Sequence, residues 1–276
     1  MVILEKISKK YSKNIVLKDI SLKIKPGSMV GILGGNGCGK STLLSILAGV
    51  QKANCGHFFY APEAVNTTDS VKLGKRVNVD DYDESWKRVN VDGYDESWKS
   101  ANVDGYDEFA NRVVTDLLRN TRTRNELVSY VPQDTPLIEE LSAWDNLRMW
   151  YSASDLKSQL SDGMLKMLGI DEFIKVPVKK MSGGMKKRLS IGCAINSNPK
   201  ILILDEPTAA LDLVCKQKIY DYLNYFKNQG GTILLATHEV QEIELCDELY
   251  FIKGGSLHPF EYDGNTEKLL SEFTKS

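Results

Sequence analysis

No uncharged apolar stretch in these 276 residues reaches the ~18 that a membrane-spanning helix requires. The opening residues, Met-Val-Ile-Leu-Glu-Lys-Ile, carry a charge at position 5 and lack the basic start and long apolar core of a secretory leader. Cysteine is sparse. Cys38, Cys55, Cys193, Cys215 and Cys246 are odd in number and form no Cys-x-x-Cys pair, which argues against a disulfide scaffold or zinc site and fits a reducing cytosol. A dominant charge is missing too. The 35 basic residues face 37 acidic ones, net −2, and give no reason to expect nucleic acid as a partner. What remains is an ordinary globular composition, 42% hydrophobic and 26% charged, sized for one large α/β domain or two small ones. A cytoplasmic chain is expected, reaching a membrane only through a partner.

Against this background one stretch stands out: Gly34-Gly35-Asn36-Gly37-Cys38-Gly39-Lys40-Ser41-Thr42, which fits the Gly-x4-Gly-Lys-[Ser/Thr] phosphate loop. Met29 to Leu33 before it reads as a buried strand, and the apolar run Thr42 to Ala48 after it reads as a helix ending near Gly49. The glycines allow a tight turn that brings backbone N–H groups onto phosphate oxygens at a helix N-terminus. Lys40 is expected to reach the β- and γ-phosphates, and the Ser41 hydroxyl to ligate Mg²⁺. The plain alternative is a glycine-rich turn with an exposed lysine.

Residues 2–7 and 15–24 alternate apolar and polar positions and read as half-buried antiparallel strands separated from the loop strand by a Pro26-Gly27 turn. Leu127 to Val131 reads as a core strand stopped by Pro132, residues 142–175 as helices with Ser142 as an N-cap, and 212–228 as an amphipathic helix. Ile201 to Leu204 and Ile233 to Ala236 are fully apolar, as central parallel strands covered on both faces should be. The alternation predicts a parallel sheet with crossover helices.

One region breaks the pattern. Residues 76–87, 88–99 and 100–111 form a tandem repeat of period twelve, the first two units agreeing at 11 of 12 positions and the third keeping Asn-Val-Asp-Gly-Tyr-Asp-Glu. The repeat holds ten acidic and four basic residues, net −6, so the remainder of the chain is +4. Its spacing does not match a calcium loop of the EF-hand type. An acidic surface insertion over 66–112 is expected, with a weak cation site or a docking loop as the alternatives.

Downstream, the apolar run Ile201 to Leu204 ends in Asp205-Glu206. A strand ending in two carboxylates beside a phosphate loop supplies one acid to hold Mg²⁺ through water and a second to orient and deprotonate an attacking water. Ser182-Gly183-Gly184 offers a hydroxyl and free N–H groups at the start of an amphipathic helix, an anion site without a lysine, or simply an N-cap.

With these elements in this order the chain resembles the nucleotide-binding domain of ABC transporters, over almost everything except the repeat. Gly34 to Thr42 matches the Walker A loop, Gln133 the Q-loop glutamine, Ser182-Gly183-Gly184 the signature, Asp205 and Glu206 the Walker B acid and catalytic glutamate, Ala210-Leu211-Asp212 the D-loop, and His238 the switch histidine. Tyr11 stands where the family places an aromatic that stacks on adenine. Met181 and Met185 replace the more usual Leu and Gln around the signature, as in exporter ATPases whose membrane subunit is a separate chain. Ala209 stands where Ser is frequent. The 92 residues between Lys40 and Gln133 exceed the usual span, and the repeat accounts for most of the excess.

The resemblance implies an α/β fold: a P-loop NTPase core with a mostly parallel sheet, an antiparallel β-subdomain and an inserted α-helical subdomain over 137–197, in a single domain spanning 1–276. It implies ATP and Mg²⁺ as ligands, with Ser41, Gln133 and Asp205 at the metal and Glu206, His238 and Gln133 at the chemistry. It implies a homodimer, or a pair with another nucleotide-binding subunit, because Ser182 to Gly184 would complete the site of a second protomer, with Asp212, also counted among the nucleotide-binding residues, as a relay between the two sites. A separate transmembrane permease would hold the chain at the inner face of the cell membrane, in export more than import. The competing reading is a soluble ATPase of the same type acting as a mechanical clamp without a permease. Glu206 and His238 together argue against a non-hydrolysing sensor.

Overall fold

The computed structural model describes residues 1–62 and 114–274. Contacts divide the chain into two compact units, Met1–Tyr60 with Thr115–Ser276, and Ala61–Val114. The acidic insertion expected at 66–112, with its repeats at 76–111, lies outside the described residues apart from its flanks.

Two sheets organise the first unit. An antiparallel sheet of order β2-β1-β4-β5 is built from β1 (Val2–Tyr11), β2 (Asn14–Ile24), β4 (Cys55–Tyr60) and β5 (Thr115–Asp116). A six-stranded sheet of order β10-β9-β3-β8-β7-β6 contains β3 (Met29–Leu33), β6 (Val128–Val131), β7 (Ile201–Asp205), β8 (Thr232–Ala236), β9 (Glu248–Lys253) and β10 (Ser256–Phe260). Its strands run parallel except for the edge pair β9–β10.

Side-chain alternation along the central strands explains how one sheet serves two cores. Val30, Ile32, Ile201, Ile203, Leu234 and Ala236 point to one face, where they pack with α1 (Lys40–Leu47) and the antiparallel sheet. Met29, Leu202, Leu204, Ile233 and Leu235 point to the other, against α6 (Gly183–Ala194) and α7 (Leu213–Asn228). Every residue of β3, β7 and β8 is buried. Each such Leu, Ile or Val contributes about 1.5–3 kcal/mol of burial. Helix α7 presents Ile219, Tyr222, Leu223 and Phe226 to this core, the spacing of an amphipathic helix.

The segment between β6 and β7 holds α3 (Ala143–Arg148), α4 (Ala153–Ser161), α5 (Met164–Met167), 3₁₀ turns at Ile170–Phe173 and Val178–Lys180, and then α6. Ser142 caps α3 as expected, in a full capping box with Asp145.

The strands expected at 2–7 and 127–131 differ at their ends. β1 continues to Tyr11, because its hairpin tip is solvated and carries no apolar alternation. β6 begins at Val128, since Leu127 closes the short helix α2 (Thr121–Leu127). Tyr60 and Thr115, which flank residues 61–114 in sequence, are paired neighbours of β4 and β5. Among the described residues, no helix is long and apolar enough to cross a membrane.

Candidate active site

The carboxyl ends of four adjacent parallel strands, β3, β8, β7 and β6, deliver the predicted residues to one place, as ligand sites of open α/β sheets are built. β3 runs into the glycine loop, β8 into Thr237-His238, β7 ends on Asp205 and is followed by Glu206, and β6 leads through Pro132 to Gln133. Asn36, Gly37, Gly39, Lys40, Ser41, Thr42, Gln133, Glu206 and His238 line a single cavity of about 530 Å³.

The loop has the backbone that a phosphate cradle needs. Gly39 precedes α1 with φ +113°, and a Cβ there would meet the Val16 carbonyl at 3.2 Å, so only glycine fits without strain. No side chain caps the helix, so its first N–H groups face the cavity mouth. The ammonium of Lys40, itself 7% exposed, donates to the carbonyls of Gly34 at 2.7 Å and Gly35 at 3.2 Å. Gly34 and Cys38 do not line the cavity. Cys38 is half-buried and packs on the core beneath the loop.

Asp205 is 3% exposed and hydrogen-bonds the Ser41 side chain. Burial pushes its carboxyl up, and the Glu206 charge adds to this. The Ser41 bond and the Lys187 and Lys40 ammonium groups act in the opposite direction. Burial thus disfavours the charged form of this carboxylate despite the two ammonium groups.

Glu206 sits at the centre. Gln133 Nε2 donates to its Oε2 at 3.0 Å, and His238 Nδ1 lies 3.3 Å from its Oε1. Its backbone is left-handed, with φ +46°, a conformation that costs a non-glycine residue on the order of 1–3 kcal/mol. The Glu206 N–H, bonded to the Ala236 carbonyl at 3.0 Å, holds it there. The strain turns the side chain away from the strand direction and toward Gln133 and His238.

Five predicted residues, Tyr11, Ser182, Gly183, Gly184 and Asp212, stand elsewhere. Ser182 is the N-cap of α6, its Oγ accepting from the Met185 N–H at 3.2 Å. Asp212 is the N-cap of α7, its Oδ1 accepting from the Cys215 N–H at 2.9 Å. That bond holds its carboxyl below the usual range. The signature turn and the D-loop lie against each other: a Cβ on Gly184 would come within 2.4 Å of Cys215 Sγ, so glycine is required for the approach of the two helices. None of Ser182, Gly183, Gly184 and Asp212 lines the cavity. Tyr11, at the end of β1, is 45% exposed. Its hydroxyl donates to Gln51 Oε1, and the Lys9 ammonium lies 4.8 Å from its ring centroid.

Two buried polar groups near the site gave no clear sign in the sequence. Glu242, 1% exposed, accepts from the Thr208 hydroxyl at 2.5 Å, and burial pushes its carboxyl up. Lys187, 6% exposed, donates to the carbonyls of Pro132 at 2.9 Å and Gln133 at 3.0 Å. The only available hint was a Lys-Lys-Arg run opening a helix whose neighbours are apolar.

The ABC transporter family model matches residues 17–113 and 97–209, well over half of the chain. The chain belongs to the ABC transporter family. The two matched pieces overlap at 97–113, across the end of the repeat. A lantibiotic transport ATP-binding protein of Streptococcus pyogenes is 26% identical over 275 residues, covering 98% of this chain and 96% of its own. A linearmycin resistance ATP-binding protein of Bacillus subtilis is 27% identical over 259 residues, 92% of this chain and 66% of its own. Among solved structures, a dimeric post-hydrolysis ATP-binding cassette bound to ADP and Pi superposes with a TM-score of 0.66 at 25% identity, over 95% of this chain and 98% of that one. An ATP-binding subunit of an ABC transporter superposes with a TM-score of 0.70 at 22% identity over the full length of both, which speaks to the fold alone. As a member of this family the chain is an ATP-binding, ATP-hydrolysing subunit that powers transport, with the P-loop NTPase fold expected of it.

Proposed function

We propose that this subunit hydrolyses ATP at sites shared between two protomers and drives export through a separate permease. One observation carries the reading. The cavity gathers the phosphate loop, Gln133, Glu206 and His238, while Ser182 to Gly184 stand on α6 outside it. A chain with one signature therefore offers that turn to a nucleotide held by another protomer. Two copies that each do so form a closed, isologous pair.

In this reading the loop N–H groups and Lys40 bind the phosphates, with Tyr11 against the adenine and Asp212 beside the neighbouring site. Glu206 is the base that orients and deprotonates the attacking water. His238 and Gln133 fix its two carboxylate oxygens. Mg²⁺ fits the donors present: burial disfavours the charged Asp205 carboxylate, which a cation would stabilise, the Ser41 hydroxyl bonds it, and Gln133 lines the same cavity as Ser41; hard oxygen ligands suit that ion. When bound, it would neutralise charge on the transferring phosphoryl group.

Export is supported by the Ser-Gly-Gly-Met signature and by relatives named for lantibiotic transport and linearmycin resistance. A permease contact is supported by the exposed apolar side chains of Ile138, Met149 and Trp150 in the helical segment. The chain would then lie in the cytoplasm against the inner face of the cell membrane. The single domain expected over 1–276, with its helical signature subdomain at 137–197, is part of the same proposal.

Complementation tests it. Lys40→Ala spoils the phosphate loop and Ser182→Arg spoils the signature. Each variant alone should be inactive. Their mixture should recover activity, at most roughly a quarter of the parent rate, because half the pairs are mixed and each holds one intact site. A mixture as inactive as its parts would contradict the shared site.

A further inference from the structure

Helix α6 starts at the signature turn, and five residues later it reaches the Q-loop of its own chain. About 7.5 Å of helical rise, rather more than one turn, separates Ser182 from Lys187. Lys187 Nζ donates to two successive Q-loop carbonyls, Pro132 at 2.9 Å and Gln133 at 3.0 Å, across 55 and 54 positions of sequence. The next side chain in the chain of contacts is Gln133 itself, whose amide donates to Glu206 at 3.0 Å.

The neighbours of Lys187 make α6 rigid on its other sides. Lys186 Nζ bonds Glu139 Oε1 at 3.0 Å. Arg188 Nη1 donates to the Leu168 carbonyl at 2.9 Å, and its guanidinium lies 4.9 Å from the centre of the Phe173 ring. Three consecutive basic residues, each turned by about 100° along a helix, thus anchor α6 to three different segments. Only the bond of Lys187 runs to the catalytic cavity. A buried ammonium is costly unless it is well bonded. Burial pushes Lys187 down, and the negative charges of Asp205, Glu242, Asp134 and Glu206 oppose that.

We propose that Lys187 is a positioning residue that ties the signature turn serving the partner's nucleotide to the Q-loop and Glu206 serving its own. The inference rests on the shared-site reading above. Docking of a γ-phosphate on Ser182 to Gly184 shifts α6, and the Lys187 ammonium carries that shift to the Pro132–Gln133 backbone. From there Gln133 sets the carboxylate of Glu206. One protomer's engagement in a neighbour's site so readies its own, which is cooperativity between the two hydrolysis events.

Lys187→Met keeps length and apolar volume and removes the donors. Lys187→Arg restores a cation that can span the same two carbonyls, and Lys187→Gln keeps a shorter, uncharged amide donor. Wild type and the three variants are compared for melting temperature, affinity for an ATP analogue, kcat, KM and the Hill coefficient for ATP. For Lys187→Met the expected result is unchanged analogue affinity, kcat lower by roughly 5- to 20-fold and a Hill coefficient near one. Lys187→Arg should regain most of both, and Lys187→Gln should fall between. If Lys187→Met does not fold, Lys187→Gln is judged by the same criteria. Parent-like kcat and cooperativity in the variant would overturn the proposal. So would a proportional loss of affinity and kcat that Lys187→Arg does not rescue, which marks a purely structural lysine. A wild type that hydrolyses ATP as a non-cooperative monomer would overturn the shared-site reading and this inference together, whereas the other failures leave that reading standing.

Discussion

Gln133 and Glu206, 73 positions apart in sequence, meet at 3.0 Å, with the Gln133 amide donating to one carboxylate oxygen while His238 faces the other at 3.3 Å. The pair joins the end of β6 to the end of β7, so the group assigned to the water is held from both sides. The arrangement also joins the helical segment that follows Gln133 to the chemistry at Glu206.

Glu206→Gln keeps the shape of this arrangement and removes the base. ATP binding should persist, while hydrolysis falls by about 10²–10⁴-fold, the usual worth of a general base. Phosphate release at saturating ATP is the measurement, and undiminished turnover would refute the assignment.

Lys40→Ala should weaken nucleotide binding by about 10–100-fold, since a buried, charge-assisted contact to phosphate is worth ~1.5–3 kcal/mol. Titration with ATP checks this. Normal affinity would remove the phosphate-loop reading.

Asp205→Asn should separate stability from activity. The folded-state carboxyl of Asp205 is raised by burial, so folding favours its protonated form. The stability this allows is full below the ordinary carboxylate range and is lost as pH rises through the raised value. At neutral pH the unliganded variant should therefore melt above the parent, each ~1 kcal/mol appearing as roughly 2–4 °C. The gap should close on acidification. Mg²⁺-dependent hydrolysis by the same variant should drop about 10–100-fold. A variant that melts lower than the parent at neutral pH would contradict the buried-charge account.

Deleting residues 76–99, two whole repeats, should leave kcat within about twofold of the parent. The flanking Tyr60 and Thr115 are already paired across β4 and β5. A folded but inactive deletion would assign the repeat a part in the reaction.

Much of this site could be read directly from the chain because it is written in short, contiguous stretches. The apolar runs at Ile201 to Leu204 and Ile233 to Ala236 announced covered parallel strands, and the glycines with Lys40 announced the loop between strand and helix. Seven of the nine described residues lining the cavity belong to stretches of that kind, while Gln133 and His238 were reached only through the family resemblance. What the chain concealed depends on tertiary approach. The solvated tip of β1 has no apolar rhythm. β9, β10 and α9 (Thr266–Thr274) went unread because their exposed faces dilute the pattern, α9 burying only Leu269. Lys187 looked like one more surface cation. Its role comes from two backbone carbonyls more than fifty residues away, which no local periodicity encodes. The left-handed turn at Glu206 was equally invisible, since glutamate has no preference for it.

The central claim is that a nucleotide's terminal phosphate is gripped by two protomers, and mass in solution tests it most directly. Sedimentation of the Glu206→Gln variant with saturating ATP and Mg²⁺ should give twice the 30.9 kDa of one chain. Adding Ser182→Arg to that variant should return it to the single-chain mass. A Glu206→Gln protein that binds ATP yet sediments at 30.9 kDa at every concentration would contradict the account.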